Sequence, residues 1–485
     1  MKISTLAGLC VFGLGALGGA AGADEKIPIT TASAEARELY LKGRDLTERL
    51  RATDARALFQ QAAVKDPDLA LAQVGLANTA GTAKEFFDAV GRAVALAGKA
   101  SEGEQQIVCA LDAGAKAEPA RQKDCLTKLT QAYPNDARAH NLMGAYYFGR
   151  QEWAASVGEF QKATELSPEF SQPYNQMGYA YRFMGKYPEA EQSFKKYIVL
   201  IPDDPNPYDS YAELLMKMGR FEDSIKNYEK ALSVDRNFVA SYVGIGNDRV
   251  FMGQPDEARK AYARLTAIAR NPGERRQALL WTAMSYVHEG ATDKAIAELR
   301  KMADIDQAGK DLASLAAVHN QMGNVLLEAG RVDEAVAQYR EQVATIDKAD
   351  VPAQVKEGTH RQSLFDAARV ALAKSDIAGA KAKAADYATA VAAGKRPFEV
   401  RQSHELAGRI ALAEKNYKLA VTELRQANDQ DPRVLYLTAL ALQGAGEAQK
   451  AKEVGAQAAD FNGLSATYGY VRGKARAMIT APKRD

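Results

Sequence analysis

"YNQMGYAYRFMGKYPEAEQSFKKYIVLIPDDP", residues 174–205, holds no cysteine, no histidine and no serine paired with a base. Its chemistry is that of packing. Tyr174, Met177, Gly178 and Tyr181 recur at i, i+3, i+4 and i+7, which is one stripe of a helix. Ala190, Phe194 and Tyr197 form the stripe of a second helix, and Gly185 marks the turn between them. Gly178 and Ala190 are small, so the two helices can approach closely. Gln172-Pro173 and Asn206-Pro207 read as polar caps ahead of a proline at the first helical position.

Neither helix can bury its face alone, so the flanks decide the fold. The same pattern returns 34 residues away in each direction. Gly144 precedes Gly178 by 34, and Pro168 precedes Pro202 by 34. Ser156, Ala190, Ser224 and Ala258 hold one small position; Phe160, Phe194, Tyr228 and Tyr262 hold one aromatic position. Tyr174, Tyr208 and Tyr242 share a third. Four units keep this register from Ala137 to Pro272.

A 34-residue period with this pattern resembles the tetratricopeptide repeat family, in which helix pairs stack so that each buries its neighbour's face. "YNQMGYAYRFMG", "PYDSYAELLMKMGRF" and "FVASYVGIGN" also look like a group of exported bacterial repeat proteins. The resemblance implies an all-α, right-handed superhelix. About twelve helix pairs are expected, closed by a capping helix in "LSATYGYVRGKARAMI" (464–479). Matches at Gly43, Ala55, Phe59 and Ala62, at Gly323, Ala335 and Tyr339, and at Gly408, Ala420 and Leu424 extend the array both ways. The expected organisation is a signal peptide over 1–23, N-terminal repeats over 24–136, four in-register repeats over 137–272 and degenerate repeats over 273–349. C-terminal repeats with the cap follow over 350–479, and a basic tail over 480–485. The register slips at "NPGERR" (271–276) and "DVPAQVKEGT" (350–359), which read as loops or hinges.

Bulk composition excludes several classes. The chain has 485 residues with 63 Lys+Arg against 61 Asp+Glu, and the signs interleave. Nucleic acid needs a concentrated basic face, so it is not an expected partner. Residues 1–23 differ from the rest: Lys2 is the only charge, an apolar run follows, and Ala21-Gly22-Ala23 closes it. That is a secretory signal, with cleavage expected before Asp24; retention as a membrane anchor is the alternative. Nothing later reads as a membrane span, so a periplasmic or secreted protein is expected.

Catalytic motifs fail on inspection. Gly13, Gly15 and Gly18 fit a dinucleotide fingerprint but lie inside the signal. His404-Glu405 begins a zinc motif, but Gly408 replaces its second histidine. His140, His319 and His404 occupy the packing position of Tyr174 and are expected to pack. The chain is expected to be neither an enzyme nor dependent on a cofactor or metal. Cys109 and Cys125 lie eight residues on either side of Ala117, in a hairpin that turns near Glu118-Pro119. They sit at a similar height there, about 12 Å from the turn. In an oxidising compartment they would pair, the alternative being two buried thiols on different faces.

The resemblance implies that the first helix of each pair lines a concave groove. Its candidate binding residues are Arg138, Asn141, Gln172, Asn175, Tyr179, Arg182, Asn206, Asp209, Glu213, Asn247, Asn320 and Asn324. Asparagine both donates and accepts, so such a row suits an extended peptide's backbone. The carboxylate clamp of some family members is missing its cations, since the matching places hold Asn141, Ala145, Gln176, Asn206 and Ser210. The expected function is a non-enzymatic, protein- or peptide-binding scaffold of the bacterial cell envelope. The alternative is a small-ligand or glycan-binding accessory of an envelope enzyme complex, stacking sugars on Tyr179, Tyr208, Tyr211 or Tyr242.

Overall fold

The computed structural model describes residues 26–49, 51–392 and 396–480. The signal segment 1–23 and all of the expected basic tail beyond Thr480 lie outside the described residues. Among the described residues there are twenty-five α-helices, one short 3₁₀ turn at Ala97–Lys99, and no strand.

Twenty-four of the helices form twelve consecutive hairpins. The N-terminal ones are α1 (Ala34–Glu48) with α2 (Ala52–Lys65), α3 (Ala70–Asn78) with α4 (Ala83–Leu96), and α5 (Glu102–Ala115) with α6 (Pro119–Ala132). The central four are α7 (Ala137–Gly149) with α8 (Trp153–Leu166), α9 (Ser171–Phe183) with α10 (Tyr187–Leu200), α11 (Asn206–Lys217) with α12 (Phe221–Val234), and α13 (Val239–Phe251) with α14 (Pro255–Ile268). Then come α15 (Pro272–His288) with α16 (Thr292–Ala308), α17 (Leu312–Glu328) with α18 (Val332–Lys348), and α19 (Ala353–Ala373) with α20 (Ile377–Ala392). The last pairs are α21 (Pro397–Ala413) with α22 (Tyr417–Leu424), and α23 (Pro432–Gly444) with α24 (Ala448–Ala459). A single helix, α25 (Tyr468–Thr480), closes the chain.

The repeat pattern works as packing. A Cβ added at Gly178 would sit 2.6 Å from the Phe194 ring, so only glycine lets α9 and α10 close around that ring. Phe194 is fully buried, as are Phe160, Tyr228 and Tyr262 at the same position of neighbouring hairpins. Burying each such side chain contributes about 1.5–3 kcal/mol. The small position twelve residues on has a polar use as well. Ser156 Oγ donates to Gly144 O at 2.9 Å, and Ser224 Oγ to Ala212 O at 2.8 Å, tying second helix to first. The turn between them reverses at Gly185, whose φ of +72 lies in the left-handed region.

Three local expectations are corrected. "NPGERR" is a helix start, with Asn271 Oδ1 accepting from Glu274 N at 3.0 Å. "DVPAQVKEGT" is helical from Ala353 onward. Gln172 and Asn206 are not caps: α9 starts at Ser171 and α11 at Asn206 itself, neither with a side-chain cap. Instead Asn206 N donates to Asp204 Oδ1 at 3.0 Å, and its amide Nδ2 donates to the buried Tyr197 hydroxyl at 2.8 Å.

The array also touches itself across many repeats. Arg51 pairs with Asp235 at 3.1 Å, Arg138 with Glu48 at 3.0 Å, and Arg270 with Asp54 at 3.3 Å. The first hairpin therefore rests against the loops that follow α12 and α14. The segment 26–31 is pinned too: Ile27 N donates to Asp136 Oδ2 at 2.9 Å and Thr30 N to Glu104 Oε1 at 2.9 Å.

Candidate functional site

The first helices of successive hairpins stand side by side, and most of the candidate residues meet on their shared face. Links run from one first helix to the next. Asn141 Nδ2 donates to Gln172 Oε1 at 2.8 Å, Tyr179 OH to Ser210 Oγ at 3.3 Å, and Ser241 Oγ to Asp209 Oδ1 at 2.7 Å. Arg182 Nη1 donates to Glu213 Oε2 at 3.0 Å and stacks over the Tyr179 ring at 4.8 Å.

The asparagine row is not an open ladder. Asn141, Asn175, Asn206 and Asn247, with Asp209, are buried, and Asn247 is 0% exposed. Their amides face the array rather than solvent; Asn247 Nδ2, for example, donates to Val243 O at 2.9 Å. Half-buried rim positions are Arg138, Gln172, Tyr179, Arg182 and Glu213. Asn320 and Asn324 stand apart in a second cluster. Asn320 Nδ2 donates to Asp366 Oδ2 at 2.8 Å, Asn324 Nδ2 to Asn320 Oδ1 at 2.9 Å, and Arg369 donates to Asn324 Oδ1. The spacing of the repeat places a residue on this face but does not say how deep it lies, since depth depends on how tightly adjacent hairpins coil.

Electrostatics differ along the face. Burial pushes the Asp248 carboxyl up to about 8, and neither of its oxygens has a hydrogen-bond partner. Burial, with Glu213 nearby, raises Asp209 well above the carboxylate range. Asp248 is therefore mostly protonated near pH 7. Burial beside Arg182 pulls Lys217 down to about 8. In the second cluster burial would raise Glu328, but Arg369, Arg409, Lys474 and Arg433 hold it below its ordinary value. Asp431 is likewise held low by Arg433 against the cost of burial.

The histidines join helices within hairpins. His140, His319 and His404 bond through Nδ1 to Glu159, Gln338 and Glu423, at 2.8, 2.9 and 2.7 Å. Among the described residues no three His, Cys, Asp or Glu side chains group as a metal site. Tyr208 and Tyr242 donate their hydroxyls to Pro202 O and Arg236 O, at 3.0 and 2.9 Å, and Tyr211 donates to Glu191 Oε1 at 2.7 Å. Cys109 and Cys125 face each other across α5 and α6, bonded through their sulfurs, with Cα atoms 6.0 Å apart. No described helix is long and apolar enough to cross a membrane.

Sequence reasoning missed two features. One is an apolar crevice of about 780 Å³ between α18, α19 and α20, walled by Val336, Val343, Val370 and Ala371 and edged by Arg340 and Lys374. The alanine-rich composition of α20 hinted at the missing bulk. The other is α25, which lies on the first-helix face rather than only at the end of the array.

Comparison with known families agrees with this architecture. The tetratricopeptide repeat description matches residues 159–192, 206–238 and 243–310. The chain is a tetratricopeptide-repeat protein. No curated protein matches it over its sequence. Among solved structures, this tetratricopeptide-repeat chain is similar to MamA from Desulfovibrio magneticus RS-1, at 15% identity over 35% of this chain and 96% of that one, with a TM-score of 0.31. YrrB, described as a repeat protein with an unusual peptide-binding site, is 21% identical over 38% of this chain and 92% of its own, with a TM-score of 0.27. The APC/C hetero-tetramer Cut9-Hcn1 is 14% identical over 87% of this chain and 76% of that one, with a TM-score of 0.40. Such loose overlaps carry no functional argument, and the assignment rests on the matched repeats.

Proposed function

We propose that this protein is a non-enzymatic interaction scaffold of the bacterial cell envelope that binds a protein or an extended peptide on its first-helix face. The observation that carries the reading is the rim row Arg138, Gln172, Tyr179, Arg182 and Glu213. These side chains are polar, half-buried and fixed by neighbours, and they recur along one continuous face of stacked hairpins. Stacked repeats make such extended surfaces, and pre-fixed side chains lose little entropy on binding. The buried asparagines beneath act as the floor that sets the rim.

The test is capture from envelope extract with mass-spectrometric identification, comparing the wild type with Arg182→Ala and Gln172→Ala. Loss of one set of captured proteins while each variant keeps the wild-type helical signal at the assay temperature is the expected result; identical capture by all three proteins refutes the rim. Export is tested by fractionation with N-terminal sequencing, where a first residue of Asp24 is expected. A thiol count on the exported protein tests the Cys109–Cys125 bond, and two free thiols would remove it.

Small-ligand binding has one observation in its favour, the apolar crevice by Val343 and Val370. Its apolar walls suit a lipid-like molecule better than a glycan, since the four tyrosines proposed for stacking are half-buried and all four bond through their hydroxyls within the array. A Tm unmoved by any fatty acid or detergent in a thermal-shift panel would eliminate it.

A further inference from the structure

Among the described residues, every substantial helix–helix contact joins helices at most two positions apart, except that α25 packs on α15. The C-terminal segment crosses the ends of four first helices in turn. Lys217 of α11 lies 4.0 Å from the Phe461 ring centroid. Tyr468 is fully buried, edge-on to Phe251 of α13 at 4.9 Å and beside His288 of α15 at 5.8 Å. Lys474 reaches Glu328 of α17 at 3.5 Å.

The fit is specific in shape. A Cβ at Gly469 would lie 3.3 Å from Met284 O and 3.3 Å from Val287 Cγ1, so a small residue must follow the tyrosine. Arg472, one turn later, lies over the Phe251 ring at 4.5 Å.

The same contact is poorly satisfied electrically. Arg472 is 1% exposed yet donates only to neutral oxygens, Phe461 O at 3.4 Å and Asn462 Oδ1 at 3.0 Å. Arg472 Nε, Tyr468 OH and His288 Nδ1 have no hydrogen-bond partner. Burial drives Arg472 down to about 10 and, with Arg472 and Arg476 close by, lowers His288. A buried cation with no carboxylate partner is a cost that the other buried arginine of this face, Arg369, avoids by pairing with Asp366 and Glu328. The eight residues 460–467 that join α24 to α25 hold no helix, and α25 also packs on α23 and α24, where Ala475 is buried with Ala458 and Ala459.

We propose that residues 461–480 are a built-in, removable occupant of the first-helix face between α11 and α17, and that the partner of this face is a helix carrying an aromatic residue, a small residue next to it and an arginine one turn later. The proposal rests on the scaffold reading and names the partner's chemistry for the C-terminal half of the same face. Tyr468, Gly469 and Arg472 are the chain's own copy of the recognised pattern. An incoming helix with that pattern takes the Phe251–His288 seat and leaves α25 held only by its loop and by α23 and α24.

The experiment uses the full chain with a protease site placed within 463–467. The protein is folded, cut, and mixed with a fluorescein-labelled synthetic peptide of residues 461–480. Expected is uptake by the cut protein, read as anisotropy, with no uptake by the uncut one. A peptide with Tyr468→Ala and Arg472→Ala should bind about tenfold more weakly or worse, as for loss of a buried anchor. One with Gly469→Leu should not bind. The proposal is overturned if the cut protein never exchanges its own α25, or if it loses its helical signal when α25 leaves, for then α25 is core. Proteins captured from envelope extract equally by cut and uncut chain, yet lost with Arg182→Ala, would keep the scaffold reading and reject this one.

Discussion

The central hairpins α7–α14 and the later hairpins α15–α20 are built on one plan with two currencies. Central helices run 12 to 14 residues, and their first helices are tied mainly by neutral groups such as Asn141–Gln172 and Tyr179–Ser210. The later helices run 16 to 21 residues. Their first helices are tied by ions: Arg369 pairs with Asp366 at 3.2 Å and with Glu328 at 3.4 Å while almost wholly buried. The difference explains the slip of register. The 34-residue period does not break at a hinge after Pro272; each helix there gains about one turn, and added length moves every small residue away from its counted place. Longer helices enclose more of the first-helix face, and the polar groups enclosed must then be paired as charges.

Breaking the ion cluster should cost most. Arg369→Ala leaves Asp366 and the Glu328 carboxylate without their shared cation, and loss of one partner of a buried pair costs about 3–5 kcal/mol. The urea midpoint should fall accordingly, with hydrogen exchange rising in α17–α19 and unchanged in α7–α10. A uniform rise would mean that the two regions unfold as one.

Reduction of the Cys109–Cys125 bond comes next. The cysteines are 16 residues apart, and opening a loop of that size removes about 3 kcal/mol of unfolded-state constraint. Each hairpin touches mainly its neighbours, so exchange should accelerate in α3–α7 and leave α17–α19 as they were. Acceleration extending to residue 480 would contradict local stapling.

Within the central region, Gly178→Leu should cost about 1–3 kcal/mol or more, because its Cβ meets the Phe194 ring. Lys186→Leu is an exposed change and should stay within about 0.5 kcal/mol. Equal urea midpoints would refute the packing role of the glycine.

The smallest effect is the sharpest comparison. Asp248 titrates near 8 when folded, so between about pH 4 and 8 the folded chain holds a proton that the unfolded chain releases. Its region therefore loses stability as pH rises through that window. Glu328 and Asp431 are held below their ordinary values, so their contribution is present above the ordinary carboxylate range and is lost as pH falls through the lowered folded values. Relative to intrinsic exchange at each pH, α13 should gain protection from about pH 7.5 to about pH 5, and α17 and α23 should lose protection below about pH 4. Asp248→Asn should abolish the first change and leave the second. The same direction of change in both regions would erase the distinction drawn between them.

The sequence by itself determined the helices, their pairing and the identity of the packing residues. Gly178, Phe194 and Ser156 do what their spacing says, because a helix face and its period are local properties of the chain. It also marked Cys109 and Cys125 as equidistant from a turn, and the last helix near 464–479. Depth and long-range company were decided only by the tertiary structure. Asn175 and Asn247 read as polar groove residues and are buried, because burial depends on how closely the next hairpin coils over them. Asp366 and Arg369 carry no signal as single residues in a charged helix; they become a cluster only where α17 meets α19. The position of α25 on α15 joins residues far apart in sequence. It follows from the summed curvature of the intervening hairpins, which no window of sequence contains.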